Sequence, residues 1–508
     1  MDEQAAERLE GIGSRDHSVT AEYRIFGPPG TGKTTSLTRQ IQRAVDRFGD
    51  SVLVTSFSRA AAAELAGREI PLHSDHIGTL HGHCFRALGN PAIAEVHVKE
   101  WNRENPRLPI TPVSKQVRLD GEDCAEDGEV HQKDGDRLLQ QLNCCRGMML
   151  EPGRWPAVVR EFASKWDRYK RANRLLDFCD LIELSLRDVR VAPGNPAVIM
   201  ADEAQDLNKM QLTLIRMWAE HASYLALAGD DDQTIYAWTG ASPEAILNPE
   251  IPEDHKVFLK QSQRVPRAVH AVADRLIRQV TRRPEKTYLP RPEDGAVHRL
   301  SQAGYHSPEY WILKTVERHL KKGKSIMFLA SCSYMLRPIV AVLRKNAIPF
   351  YNPYRKSNGF WNPLRIGSRH SAARRILALL DAHLGISGDH RNWTCGALAL
   401  WMEWLRGDGV VKAGAGERVS ISPATREVDV EALRNTFEPA ALETLLTSLK
   451  DHPRVLLDWW QARLSVEFRK RVQFPANIAR LRGPQALRNA PQIVVGTIHS
   501  VKGGQADV

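Results

Sequence analysis

The octapeptide Gly27-Pro28-Pro29-Gly30-Thr31-Gly32-Lys33-Thr34, followed by Thr35, fits the pattern G-x-x-x-x-G-K-[ST] at every position. A short run from Tyr23 to Phe26 precedes it, and a helix-like segment from Thr35 to Val45 follows it. The order is therefore strand, loop, helix. Glycines let the backbone approach a phosphate closely with its N–H groups turned inward. The start of the following helix adds partial positive charge. In such a loop Lys33 reaches the β- and γ-phosphates, and the Thr34 hydroxyl is placed to ligate Mg²⁺.

Residues 198–206 read Val-Ile-Met-Ala-Asp-Glu-Ala-Gln-Asp. The apolar run Val198 to Ala201 predicts a buried parallel strand. Asp202 then stands at its carboxyl end, where open α/β sheets bind ligands. It is the expected Mg²⁺ carboxylate, and Glu203 the expected general base for an attacking water. A third apolar run, Tyr224 to Ala228, leads into Gly229-Asp-Asp-Asp-Gln-Thr-Ile-Tyr-Ala-Trp-Thr-Gly-Ala241 and delivers Gln233 towards the phosphates. Tyr236 and Trp238 are two residues apart, so an extended stretch would place both rings on one face. Two such rings either stack on unpaired bases or pack into a core.

Composition sets the outer limits. Of 508 residues, 42% are hydrophobic and 26% charged, which excludes a mainly disordered, collagen-like or disulfide-scaffold chain. No apolar run is long enough to span a bilayer, and the acidic start MDEQAAERLEG lacks the apolar segment of a signal peptide. The seven cysteines are scattered without a C-x-x-C pair, which predicts free thiols in a reducing cytoplasm and no zinc or iron–sulfur site. The net charge of +10 suits a polyanionic partner or a merely basic enzyme equally well.

GPPGTGKT, DEAQD and GDDDQTIYAWTGA, in this order and spacing, resemble the superfamily 1A helicases of the UvrD/Rep/PcrA type. Further segments extend the resemblance. Thr55-Ser-Phe-Ser-Arg-Ala-Ala-Ala-Ala-Glu-Leu resembles motif Ia, with Phe57 at its base-contacting position. Ile77-Gly-Thr-Leu-His-Gly-His-Cys-Phe resembles motif Ib, with Thr79 and His81 at strand-contacting positions. Leu176-Asp-Phe-Cys-Asp-Leu-Ile resembles the segment that leads back into the first motor domain. Lys260-Gln-Ser-Gln-Arg-Val-Pro resembles motif IV, where Arg264 matches the arginine that contacts the γ-phosphate. Val495-Gly-Thr-Ile-His-Ser-Val-Lys-Gly-Gly-Gln resembles motif V, placing Thr497 and His499 on the strand and Gln505 at the nucleotide. Phe57, Tyr236 and Trp238 would form a stacking track, worth about 1–3 kcal/mol per base.

The chain departs from the family at four points. Gln4 lies in a poor context for the adenine-reading glutamine. Gln263 replaces a tyrosine that stacks on adenine, leaving adenine specificity open. Thr239 replaces the arginine after the motif III tryptophan. The chain ends at Val508, within the motif V resemblance, where Gln505 stands for the family's glutamate. Family members continue to a motif VI with an arginine finger, worth roughly 10³–10⁵ in rate. The resemblance thus implies a C-terminally incomplete version of a longer protein.

The implied fold class is α/β: two RecA-like P-loop NTPase domains, parallel sheets flanked by helices, each with a mostly helical inserted subdomain. Motor domain 1A would take residues 1–85 and 180–262, and insertion 1B residues 86–179. Domain 2A would take 263–356 and 489–508, and insertion 2B 357–488. The acidic stretch Leu119 to Glu129 reads as a solvated loop and Val411 to Arg418 as a flexible one. Lys165 to Arg171 interleaves cations with aromatics, as a nucleic-acid contact or an amphipathic helix face. The arginines Arg264, Arg267, Arg275, Arg278, Arg282 and Arg283 form a candidate phosphate-facing surface or a solvated helix surface.

The expected activity is ATP-dependent translocation on single-stranded DNA, or helicase action at single/double-strand junctions. ATP and Mg²⁺ are the cofactors, and 3′-to-5′ polarity is implied by the resemblance. Two other readings remain: a nucleotide-switched strand-binding module with little turnover, and the motor part of a helicase–nuclease. A GTPase is disfavoured by the DEAQD and IYAW segments.

Overall fold

The computed structural model describes residues 21–57, 62, 65, 67, 72–112, 133–299, 308–354, 360–365, 368, 370–380 and 393–508. Gln4, the acidic stretch 119–129 and much of the motif Ia segment lie outside them. The chain divides into two compact units, Met1–Arg299 and Leu300–Val508. The first unit runs past residue 263, at which the sequence reading begins domain 2A.

The first unit is built on a six-stranded parallel sheet. Its strands are β1 (Ala21–Phe26), β2 (Val52–Ser56), β3 (Ile77–Thr79), β4 (Val198–Asp202), β5 (Tyr224–Gly229) and β6 (Lys256–Phe258), in the order β3-β2-β4-β5-β1-β6. Every residue of β2, β4 and β5 is buried. That burial explains why β4 and β5 read as unbroken apolar runs rather than alternations. Successive side chains still go to opposite faces. Tyr23, Ile25, Val54, Met200 and Ala228 pack on one face against Leu37, Ile41 and Ala44 of the helix Lys33–Phe48. Phe26, Leu53, Ile199, Leu225 and Leu227 pack on the other, against Leu214, Ile215 and Trp218 of the helix Lys209–Ala219. Because all strands run the same way, the ends of β1, β4 and β5 open at one edge of the sheet.

Between β3 and β4 the chain makes a helical excursion. Trp101, Leu142, Val159, Phe162 and Trp166 form its own core, with Trp101 edge-on to Trp166 at 5.0 Å. The excursion leaves and re-enters through a parallel bridge between Ile93 and Leu176, with Ala94 N–H donating to Leu176 O at 2.8 Å. Beside this neck, Arg146 donates to Asp177 at 2.9 Å and to Asp180 at 2.6 Å, and Lys170 donates to the same two at 2.6 and 2.7 Å. Asp177 is fully buried, and its charge is held by both cations and the Trp166 indole N–H. Asp177 and Asp180 also form a capping box at the start of the helix Phe178–Asp188. In the helix Ala157–Asn173, Trp166, Tyr169 and Lys170 point inward, so only part of the interleaved Lys165–Arg171 run faces solvent.

After β6 come two short parallel strands, β7 (Gln261–Pro266) and β8 (Leu289–Arg291), joined through the helix Arg267–Ile277. The second unit pairs β9 (Ile326–Ala330) with β10 (Ile493–Thr497) in parallel, with the helices Pro308–Leu320 and Arg337–Lys345 nearby. The stretch Asn346 to Tyr351 supplies one bridge, Tyr351 to Val494, rather than a strand; Pro349 has no N–H to offer a ladder. A separate helical core gathers Trp393, Trp401, Phe437, Leu445 and Trp460. The helix Ala415–Ile421 starts inside the expected flexible loop, with Gly414 at φ +70° as its N-cap. Among the described residues no disulfide is formed, and no helix is long and apolar enough to cross a membrane.

Candidate functional site

β1 ends at Phe26 and the glycine-rich loop begins. Gly30 and Gly32 take φ +77° and +84°, conformations that glycine adopts at little cost. A β-carbon on Gly27 would stand 2.4 Å from Lys33 Cγ, so this position must lack one. Lys33 folds back over the loop and donates from Nζ to Gly27 O at 2.5 Å. The helix Lys33–Phe48 has neither a side-chain N-cap nor an acidic residue in its first turn, so its positive end is left for an external anion. Thr34 is half-buried and Thr35 exposed at that end. Pro28, Pro29 and Thr31 complete the loop, with Thr31 Oγ1 donating to Pro28 O at 2.8 Å.

β4 brings Asp202 to the same edge, 2% exposed. Its Oδ1 accepts from the Glu203 N–H at 3.0 Å. Glu203 is in the left-handed region at φ +53°, a strained placement for a residue with a side chain. Gln205, wholly buried, links two strand ends: its Nε2 donates to Glu203 Oε2 at 2.5 Å, and its Oε1 accepts from Asp230 N–H at 3.0 Å. Gln233 is held by Asp230, donating from Nε2 to Oδ2 at 2.6 Å.

β7 lies against the loop. Ser262 donates to Pro29 O at 2.9 Å and the Gln263 N–H to Gly30 O at 2.9 Å, so Arg264 follows directly beside Gly30. Lys33, Asp202, Glu203, Gln233 and Arg264 thus gather at one edge of the first unit. Two hard oxygen donors, Thr34 and Asp202, suit Mg²⁺ carried in on a nucleotide. Among the described residues no cluster of three or more His, Cys, Asp or Glu forms a cage of its own for a metal.

The expected strand-facing residues form a second group. Phe57 and Tyr236 lie with ring centroids 5.1 Å apart, and Tyr236 meets Trp238 edge-on at 5.9 Å and 71°. Tyr236 is buried and Trp238 half-buried. The extended stretch expected here is instead a 3-10 turn over Ala237–Thr239, and the two rings meet edge to face rather than lining one face side by side. Thr79 is the N-cap of the helix Leu80–Ala87, accepting from Gly82 N–H at 3.2 Å. His81 is half-buried against Phe178, and burial pushes its imidazole down to about 4, so it is neutral at pH 7. In the second unit, Thr497 is buried at the end of β10, His499 is half-buried and Gln505 is exposed.

Similarity to known proteins follows the same residues. Residues 15–252 match the family described as the UvrD/REP helicase N-terminal domain. That span holds the glycine-rich loop, β4 and β5. Relatives of the chain include the ATP-dependent DNA helicase PcrA of Staphylococcus aureus, 26% identical over 330 residues, covering 60% of this chain and 45% of that protein. PcrA of Leuconostoc citreum is 25% identical over 334 residues, covering 60% and 43%. PcrA of Staphylococcus epidermidis is 24% identical over 358 residues, covering 64% and 48%. The chain spans less than half the length of these relatives.

Around the strand ends of the first unit the structure adds Lys286 and Tyr288, which the sequence reading missed, and gives Arg283 of the arginine surface a partner. Lys286, whose side chain is 1% exposed, donates to Asp230 Oδ1 at 2.9 Å, Asp231 Oδ1 at 2.6 Å and Asp232 Oδ2 at 2.8 Å. Arg283 grips Asp232 with two bonds, at 3.0 and 2.7 Å. Tyr288 donates to Pro29 O at 2.8 Å. Burial works to raise the Asp232 carboxyl, but Arg283 and Lys286 outweigh it and hold it below its ordinary value. Burial works to lower the Lys286 ammonium, and the three carboxylates outweigh it in turn. Most of the expected arginine surface is likewise already paired within the unit: Arg267 with Asp294, Arg278 with Asp274, Arg282 with Glu244 and Arg283 with Asp232. Arg283 is largely buried in its pair, whereas Arg267, Arg278 and Arg282 remain exposed.

Proposed function

We propose that this chain is an ATP-dependent single-stranded DNA translocase or helicase, moving 3′ to 5′ and acting at single/double-strand junctions in repair, recombination or replication. The observation that carries the reading is continuity. Gln233 stands at the nucleotide edge, and three residues later the same segment becomes Tyr236 in ring contact with Phe57. One short turn therefore joins the phosphate end to an aromatic group suited to bases.

The chain's own residues divide the work. The loop Gly27–Thr35 with Lys33 cradles the phosphates, and Thr34 and Asp202 hold Mg²⁺, which neutralises phosphate charge. Glu203, oriented by Gln205, accepts the proton of the attacking water. Arg264 aims a fixed cationic fork at the γ-phosphate, where charge grows in the transition state. Gln233 touches water or γ-phosphate and passes its state to Tyr236 and Trp238. Phe57, Thr79, His81, Thr497 and His499 contact the strand, and Gln505 the nucleotide. With this goes the division into 1A, 1B, 2A and 2B set out above, and a soluble cytoplasmic setting.

The test is ATP hydrolysis with and without single-stranded DNA, with Lys33→Ala as control. Strand-stimulated turnover that Lys33→Ala abolishes supports the motor. Tight Mg·ATP binding with no turnover would replace it with a nucleotide-switched strand-binding module.

A further inference from the structure

We propose that Lys286 is a positioning residue for the hydrolytic step: by holding Asp230 it fixes where Gln233 points, and through Tyr288 it ties that placement to the phosphate-binding loop. The inference rests on the reading of the chain as an ATPase.

The Asp230 carboxylate has three donors. Its Oδ1 accepts from Lys286 at 2.9 Å and from the Asp232 N–H at 3.3 Å, and its Oδ2 accepts from Gln233 at 2.6 Å. The ammonium makes the shorter, charged bond to Oδ1, and its loss leaves that oxygen only the longer bond from Asp232 N–H to orient the carboxylate that holds Gln233. Asp230 also carries the N–H bonded to Gln205, which holds Glu203. Two residues beyond Lys286, the Tyr288 hydroxyl is bonded to Pro29 in the loop. The buried Lys286 ammonium thus sits on a branched chain of contacts that reaches Gln233 and Glu203 through Asp230 and the loop through Tyr288. Three carboxylates face two cations here, so the cluster carries excess negative charge at a desolvated place. Apolar packing would stabilise such a turn at least as well as buried charges do. What the charges supply is direction: each bond fixes one oxygen.

The test compares steady-state ATP hydrolysis, with saturating oligo-dT, for the wild-type chain, Lys286→Met, Gln233→Ala and the double variant. Lys286→Met is expected to lower kcat about 100-fold, the scale of a reacting group displaced by about an ångström. KM for ATP should stay within a factor of about three, because the loop's own residues and the Tyr288 bond to Pro29 are retained. The double variant should be no more than about threefold slower than the slower single, since both act through one placement. Lys286→Arg should recover part of kcat. Should Lys286→Met not fold, Lys286→Met with Asp231→Asn removes one carboxylate along with the ammonium; it should recover the thermal midpoint but not kcat. Wild-type kcat in Lys286→Met, multiplicative losses in the double variant, or recovery of kcat by Asp231→Asn would each overturn the inference alone. A wild-type chain without strand-dependent turnover would overturn the ATPase reading, and this inference with it.

Discussion

Gly30 and Arg264 meet so closely that a β-carbon on Gly30 would stand 2.5 Å from the Arg264 β-carbon. The loop that cradles phosphate and the arginine aimed at it therefore share one packing contact. Gly30→Ala would add strain at φ +77° of roughly 1–2 kcal/mol and push β7 away. The expected result is a rise in KM for ATP of at least about tenfold, the arginine being displaced with the loop. Steady-state kinetics decides it; an unchanged KM would mean that the loop and β7 are not mechanically joined.

Glu203 is held by Gln205 at the end of β4. Glu203→Gln keeps its size and removes the basic oxygen. Turnover should fall by about 10²–10⁴, while Mg·ATP affinity stays near wild type. A fluorescent ATP analogue reads the binding and single-turnover hydrolysis the chemistry. Equal losses in both would relocate the general base.

Burial separates the two motif III aromatics. Trp238 is half-buried, Tyr236 only 5% exposed and packed on Phe57. Trp238→Ala should weaken oligo-dT binding by about 1–3 kcal/mol with no change in thermal midpoint. Tyr236→Ala should lower the thermal midpoint as well, because it empties a packed site. Fluorescence anisotropy and calorimetry on the same samples distinguish them; matching profiles for both variants would remove the distinction.

Glu95 offers a pH test at the neck. Burial first, and the Asp177 charge second, push its carboxyl up to about 8 from 4.5. A raised value in the folded state means that the native chain keeps a proton that the unfolded chain has released. The stability this contributes is fully present below about 4.5 and is lost as pH rises through about 8. Glu95→Gln is neutral throughout. Its thermal midpoint should gain on wild type progressively from about pH 5 to about pH 8. Parallel curves would contradict the assignment.

What the sequence discloses follows from how locally each feature is encoded. The loop, β4 and β5 are contiguous, and burial on both faces forces their apolar runs, so spacing alone located Lys33, Asp202 and Gln233. Phe57 and Arg264 were legible only by resemblance. Lys286 was not legible, because it stands 54 to 56 residues from the three carboxylates it grips, and nothing in its neighbours marks a partner. Tyr236 and Trp238 were read as extended because both rings lie at spacing two; the chain instead turns tightly, with Gly240 at φ +87° accommodating its exit. The interleaved run does not disclose that Lys170 turns inward, because Asp177 and Asp180, the buried acids it grips, lie beyond the end of its own helix.

The bridge between Ile93 and Leu176 is parallel, and this sets the terms on which the helical excursion could ever be lost. Antiparallel neighbours can be closed by a two-residue hairpin, but parallel ones require a crossover of about a dozen residues or more. A deletion that trimmed the excursion to a tight turn would unzip the neck and uncap the helix Phe178–Asp188 that Asp177 begins. The accessory helices are therefore also connective tissue. Any shortened descendant of this gene would have to keep a linker long enough to turn the chain around twice.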